Sequence, residues 1–252
     1  MPKQQRSTFE RGVTPIPAAF IALLLHQFQL TSNDRILEIG CGEGYLARAL
    51  SPHVAHVDAV DERAATLARA HAYNNSPRVQ YIQSRAQEFA LRGRYDLVIS
   101  LEAFHLIDDQ ANELRRLVSE LAPGGSFCVA WVEFFWEAGL FESFADVFSQ
   151  FGVEWGSSAN LAVVDLERLA ATVAPEFELE YGVRSVEVPE HLTLVQIVNY
   201  MSCTSKAEAF SRLSKARLRR VMLRRFRQAG VPEEVVGCSR YVAEFVRTHA
   251  DD

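Results

Sequence analysis

Lysine is almost absent from this 252-residue chain: of its 26 basic residues only Lys3, Lys206 and Lys215 are lysines. That bias reflects genome composition and assigns no chemistry. Cysteine is scarce as well. Cys41, Cys128, Cys203 and Cys238 lie far apart, with no C-x-x-C pair and no histidine cluster beside them. A disulfide framework and a zinc site are therefore not expected, no metal ligands are assigned, and a reducing cytoplasm is the default. Long apolar runs are missing too. Pro15–Leu25 and Phe127–Val132 are too short to cross a bilayer, and Met1–Glu10 is too polar for a signal peptide. No repeat of the ~20–50 residues that mark solenoids is present. Positive charge is short overall: 32 acids give a formal net charge of −6, which disfavours nucleic acid as a general partner. The exception is Lys206–Arg227, with nine basic residues against Glu208 alone. Such a run is either a solvated helix face or an attractor for an anionic partner.

What is present is an ordinary globular composition, 48% apolar and 23% charged, long enough to bury a sizeable core. In the first half, short apolar strands alternate with helices. Strands are expected at Arg35–Ile39, Val54–Val60, Val79–Ile82, Tyr95–Leu101 and Phe127–Val132. Helices are expected at Tyr45–Leu50, Glu62–Tyr73, Ala86–Leu91 and Gln110–Leu121, the last ended by the turn Pro123-Gly124-Gly125. Such alternation builds right-handed crossovers and a parallel sheet covered on both faces. The second half reads as aromatic-rich helix over Phe134–Ala174, a strand at Phe177–Val188, helix over His191–Phe226 and a closing strand at Arg240–Arg247. The expected architecture is one α/β domain over 1–252, a Rossmann-like, doubly wound, seven-stranded and mostly parallel sheet. Residues 9–132 form its core, 133–230 a largely helical insertion over the carboxyl edge, and 240–247 the closing strand.

The segment richest in chemistry is Glu38-Ile39-Gly40-Cys41-Gly42-Glu43-Gly44, where a strand enters a glycine turn ahead of a helix. Glycines there permit backbone conformations closed to other residues and let a ligand approach the main chain. A dinucleotide fingerprint would need a third glycine where Tyr45 stands, and no G-K-[ST] of a phosphate loop follows. Glu38 would repel a pyrophosphate and attract an ammonium group. The ligand expected is nucleoside-like and cationic.

These residues resemble the first motif of the class I S-adenosylmethionine-dependent methyltransferases. The resemblance continues at Asp61, 17 residues after Gly44, which matches the acid that holds both ribose hydroxyls, and Glu62 beside it. Ser84-Arg85-Ala86-Gln87 matches the adenine-contacting stretch, with Gln87 where the family usually carries an acid. Tyr95–Ser100 matches the fourth strand, and Leu121-Ala122-Pro123-Gly124-Gly125 the turn before the fifth. Phe9-Glu10-Arg11-Gly12 and Ala103-Phe104-His105 resemble the small-molecule branch of trans-aconitate methyltransferase type, as does, more loosely, Leu192–Ser205. The resemblance implies S-adenosylmethionine as cofactor, held by Phe9, Arg11, Glu38, Gly40, Cys41, Gly42, Gly44, Asp61, Glu62, Ala86, Gln87 and Leu101. It implies a small organic acceptor beside Glu102, His105, Trp131 and Trp136.

Asp58 competes with Asp61 for the ribose role, but Asp58 falls inside the expected strand and Asp61 at its carboxyl end. His105 either acts as a general base, since histidine titrates near neutrality, or only packs at the pocket rim. Cys41 is a small loop residue with nothing beside it to activate a thiol. Methyl transfer needs chiefly alignment and exclusion of water, consistent with the lack of a catalytic triad. Two alternatives stay open: methylation of RNA or protein, and cofactor binding without catalysis by a regulatory or scaffold protein. Amino methylation of bases is disfavoured because Ser100–His105 contains no proline-rich docking stretch. The acceptor, the atom methylated and a homodimeric state are left open.

Overall fold

The computed structural model describes residues 16–73, 76–136, 140–150, 164–201 and 215–249. Its seven strands form one mixed sheet in the order β3-β2-β1-β4-β5-β7-β6. They are β1 (Arg35–Ile39), β2 (His56–Asp61), β3 (Val79–Gln83), β4 (Tyr95–Leu101), β5 (Leu121–Trp136), β6 (Leu179–Thr193) and β7 (Glu234–Thr248). The first five pair in parallel. In β1, Ile36, Leu37 and Ile39 are buried together, as are Val57, Ala59 and Val60 in β2. Consecutive burial is the mark of a strand covered on both faces, which is why these segments read as unbroken apolar runs.

The helices among the described residues are α1 (Ala18–Gln27), α2 (Tyr45–Leu50), α3 (Ala64–Tyr73), α4 (Gln110–Val118), α5 (Leu140–Ser149), α6 (Leu166–Val173), α7 (Leu194–Met201) and α8 (Lys215–Gln228). None is long and apolar enough to cross a membrane. Asp109 caps α4 by accepting from the Asn112 amide at 3.2 Å, satisfying an amide that the first turn leaves unpaired. Leu114, Leu117 and Val118 of α4 join Val98 of β4 and Phe127 of β5 in the core. Arg247 of β7 donates to the Gln27 carbonyl at 2.8 Å and to Ser126 Oγ at 3.2 Å, so the last strand secures the end of α1.

The described residues group into two compact units. One lies within Ile16–Val132, Ala162–Val186 and Tyr241–Asp252, the other within Glu133–Leu161 and Glu187–Arg240. The second has its own core, in which Leu194, Ile197 and Val198 of α7 and Leu218, Met222 and Phe226 of α8 are buried. In α8 the positions of Arg217, Arg220, Arg224 and Arg227 lie opposite those of Leu218, Met222 and Phe226 on a helical wheel. The described part of the basic run is therefore largely a helix face turned away from that core.

Several expectations need correction; the helix expected over Ala86–Leu91 is a 3-10 turn of Ala86–Glu88 alone, and His191–Thr193 end β6 rather than opening a helix. The helix expected to reach Leu121 ends at Val118, because Leu121 is buried as a strand residue opposite Tyr95. Pro123-Gly124-Gly125 then bulges out of β5, whose register jumps from Tyr95↔Leu121 to Leu97↔Ser126. A side chain at Gly125 would bring its Cβ within 2.7 Å of the Ala122 carbonyl oxygen, so that bend needs glycine. Phe134, Phe135 and Trp136 extend β5 rather than starting a helix. Their aromatic density fits either period, and continuity with the buried strand before them decides it. The Leu192–Ser205 stretch straddles the described boundary, and Ser202–Ser205 lie outside the described residues.

Candidate functional site

Chain order and sheet order diverge between β1 and β4. The chain leaves β1 for β2 and β3, then returns to pair β4 with β1 on the other side. Such a switch point is where open α/β sheets take their ligands, in a crevice beyond the carboxyl ends of the strands. Both candidate segments of the sequence, Glu38–Gly44 and Leu101–His105, fall at this point.

The first loop is built by backbone geometry. Gly40, Gly42 and Gly44 have φ of 73°, 55° and 71°, a left-handed region that costs other residues about 1–2 kcal/mol each. A Cβ on Gly40 would overlap the Ala103 side chain, and one on Gly44 would overlap the Tyr81 ring. The amides of Gly40 and Cys41 both donate to the Val60 carbonyl, at 2.8 and 2.9 Å.

Asp61 ends β2 and is almost fully buried. Its Oδ2 accepts from the Gly42 amide at 2.9 Å, and its Oδ1 from the Arg63 amide at 2.9 Å and Arg63 Nε at 3.3 Å. The carboxylate thus ties the glycine loop to the turn after β2. Asp58 plays a different part. Three residues earlier and wholly buried, it accepts from Tyr95 Oη at 2.9 Å, contacts His56 Nε2 at 3.0 Å and meets Arg35 at 3.5 Å. That cluster is within the strand, away from its carboxyl end.

Glu38 is buried beneath the loop, and its Oε2 has no hydrogen-bond partner among the described residues. Burial pushes its carboxyl up to about 8, against a hydrogen bond from the Ala47 backbone and with help from the Asp61 charge. An unpaired carboxyl oxygen at this depth is costly. A cation placed beside it would relieve that cost. Burial also pushes the Cys41 thiol far up, which excludes it as a nucleophile.

At the end of β4, Ser100 donates to the Ile39 carbonyl at 3.0 Å and joins the two crevice strands. Glu102 follows with φ of 57°. A side chain held in that region marks strain that the surroundings must maintain. Its Oε1 accepts from the Val132 amide at 2.7 Å, and its own amide donates to the Ala130 carbonyl at 2.9 Å. Burial raises its carboxyl and lowers the imidazole of the partly buried His105. Trp131 is partly buried on β5, next to Ala130, which pairs with Leu101.

The stretch after β3 forms a short 3-10 turn, Ala86–Glu88, with Gln87 exposed. It lies beside the end of β2, since the Ser84 amide donates to the Asp61 carbonyl at 3.2 Å and Gln83 Nε2 to the Glu62 carbonyl at 3.4 Å. Most of the expected residues therefore surround one crevice. Phe9 and Arg11 lie outside the described residues, as does the side chain of Trp136. Sequence reasoning missed Ser100, Glu113 and Arg116. A polar residue inside an apolar strand was the available signal for Ser100. The i,i+3 pair of Glu113 with Arg116 was readable, but what that arginine also reaches was not. No cluster of potential metal ligands occurs among the described residues.

Residues 36–125 match the family described as a methyltransferase domain. A ubiquinone biosynthesis O-methyltransferase of Aromatoleum aromaticum is 32% identical over 114 residues, 44% of this chain and 49% of that protein. The chain thus spans about half the length of the curated relatives it matches. Among solved structures, an Anaeromyxobacter dehalogenans protein assigned as a type II methyltransferase superposes with a TM-score of 0.63 at 20% identity, over 95% of this chain and all of that one. The plantazolicin methyltransferase BpumL, in complex with S-adenosylhomocysteine (SAH), gives 0.51 at 16% identity, over 90% and 81%. Residues 36–125 thus match a methyltransferase domain, and the solved neighbours share the fold of the sheet that carries it. The crevice residues fit S-adenosylmethionine: an unpaired buried carboxyl oxygen suits its cationic part, and a left-handed glycine loop presents backbone rather than side chains to a ligand.

Proposed function

We propose that the protein transfers a methyl group from S-adenosylmethionine to a hydroxyl of a small organic acceptor. The observation that carries this reading is Glu38, a buried carboxyl with one oxygen unpaired under three left-handed glycines. When bound, the cofactor supplies an electrophilic methyl carbon. The chain then has to hold, orient and dehydrate. Glu38 provides negative charge under the loop. Asp61 keeps Oδ2 one acceptor short of saturation, and the exposed Arg63 side chain can leave Oδ1 to a ribose hydroxyl. The turn at Ala86 and Gln87 takes the base.

On the acceptor side, Glu102 has one oxygen committed to Val132 and the other open to a ligand. Burial favours the neutral form of His105, and a neutral imidazole can accept the hydroxyl proton as the new bond forms. The O-methyltransferase relatives favour oxygen as the atom methylated. Calorimetry with S-adenosylmethionine and SAH, on wild type and Asp61→Ala, tests the cofactor half. Micromolar binding lost in the variant is expected, and no binding by folded wild type overturns it. Methyl release to a panel of small hydroxyl compounds tests the acceptor half. Tight binding with no turnover on any acceptor class would replace transfer by a cofactor-sensing role.

A further inference from the structure

The turn proposed to meet the base is held from behind by a residue outside the crevice. Arg116, on the last turn of α4, places Nε 2.9 Å from Glu113 Oε2 and Nη2 2.6 Å from Glu113 Oε1. Such a two-pronged contact fixes the guanidinium plane as well as its position. The same group then donates from Nη1 to the Phe89 carbonyl at 3.1 Å and from Nη2 to the Ala86 carbonyl at 2.9 Å. Those two carbonyls bracket the 3-10 turn Ala86–Glu88. Glu113 is 2% exposed, and a buried carboxylate needs its cation. The pair is therefore a fixed post on α4, with the turn hung from it by two backbone bonds.

The other side of the turn carries polar groups that the described residues leave unused. Among the described residues the amides of Ala86 and Gln87 find no acceptor, and Gln87 is exposed with an amide that can donate and accept. An adenine edge asks for one donor and one acceptor at fixed spacing. A turn that could rock by half an ångström would lose that discrimination.

We propose that Arg116, oriented by Glu113, is a positioning residue that sets the base selectivity of the cofactor site by fixing the Ala86–Glu88 turn. It touches no ligand. The inference rests on the cofactor reading above. It goes beyond it in assigning adenine-over-hypoxanthine discrimination to a buried ion pair on α4.

The test measures, by calorimetry, the affinity of SAH and of S-inosylhomocysteine, which carries a carbonyl where adenine has its amino group. Wild type is expected to prefer the adenine compound. Arg116→Met should weaken SAH binding about tenfold or more and bring the ratio of the two affinities towards one. Arg116→Lys should not restore it, because one ammonium cannot span a carboxylate and two carbonyls in that plane. Leaving Glu113 buried and unpaired risks the fold, so the double variant Arg116→Met/Glu113→Leu, which removes both charges, is measured in parallel. Equal weakening of both compounds, with the ratio kept, would reduce Arg116 to a structural support and overturn the inference. Failure of wild type to bind either compound would instead overturn the cofactor reading, and this inference with it.

Discussion

Glu38→Gln separates what the fold tolerates from what the ligand requires. In the folded protein the Glu38 carboxyl keeps its proton up to about 8, against an ordinary value of 4.5. Between those two pH values the native state holds a proton that the unfolded chain has lost, so stability falls as pH rises through that window. The penalty is absent below about 4.5 and complete above about 8. At 1.36 kcal/mol per pH unit the interval corresponds to ~5 kcal/mol at most. Glutamine keeps the shape and cannot ionise. The difference in unfolding free energy between variant and wild type should therefore move by several kcal/mol in the variant's favour from pH 5 to pH 8.5. That equals a relative Tm change of about 10 °C at 2–4 °C per kcal/mol for a chain of this size. Other titrating groups are shared and cancel in the difference. Ligand binding should show the reverse. A cation beside Oε2 favours the carboxylate, so wild-type affinity should climb up to tenfold per pH unit between pH 6 and about 8, with proton release. Glu38→Gln should bind weakly and without that slope. Parallel stability curves from pH 5 to 8.5, within about 0.5 kcal/mol, would refute the reasoning.

Gly44→Ala should cost about 1–2 kcal/mol for the left-handed φ, plus the overlap with Tyr81. Adding Tyr81→Ala should return only the steric part, as read by urea unfolding of the double-mutant cycle. His105→Gln should lower kcat about 100-fold and remove the acid limb of the rate profile. With the imidazole pKa below its ordinary 6.5, that limb should lie below pH 6.5, and an unchanged profile would exclude the base role. Arg220→Glu should stabilise the protein by roughly 0.5–1 kcal/mol, since it converts the like-charge spacings to Arg217 and Arg224 into attractive ones. Lower stability would show that the stripe has an unrecognised partner.

The parallel core was readable because burial on both faces leaves unbroken apolar runs, and the glycine loop because its chemistry is local. Asp61 and Asp58 could be ranked from sequence, since only one of them ends its strand. The protonation of Glu38 could not be read, because it depends on what packs around the carboxyl rather than on its neighbours in the chain. The strand character of Phe134–Trp136 was hidden by aromatics that suit either period. The reach of Arg116 to Ala86 and Phe89 spans some thirty residues of sequence separation, and no spacing rule reports such a bond.

The sheet order also governs how the chain is assembled as it is made. β7 lies between β5 and β6 although it follows both in the chain. Until Glu234–Thr248 has been synthesised, β6 has no neighbour in the sheet and β5 is an open edge. At ~5–20 residues per second, the 97 residues between the end of β5 and the start of β7 keep that edge unpaired for about 5–20 s. Unpaired strand edges recruit other strands, so the growing chain passes through an aggregation-prone stage before β7 closes the gap. A substitution that slows the docking of β7 should reduce soluble yield more than it reduces the stability of the finished protein.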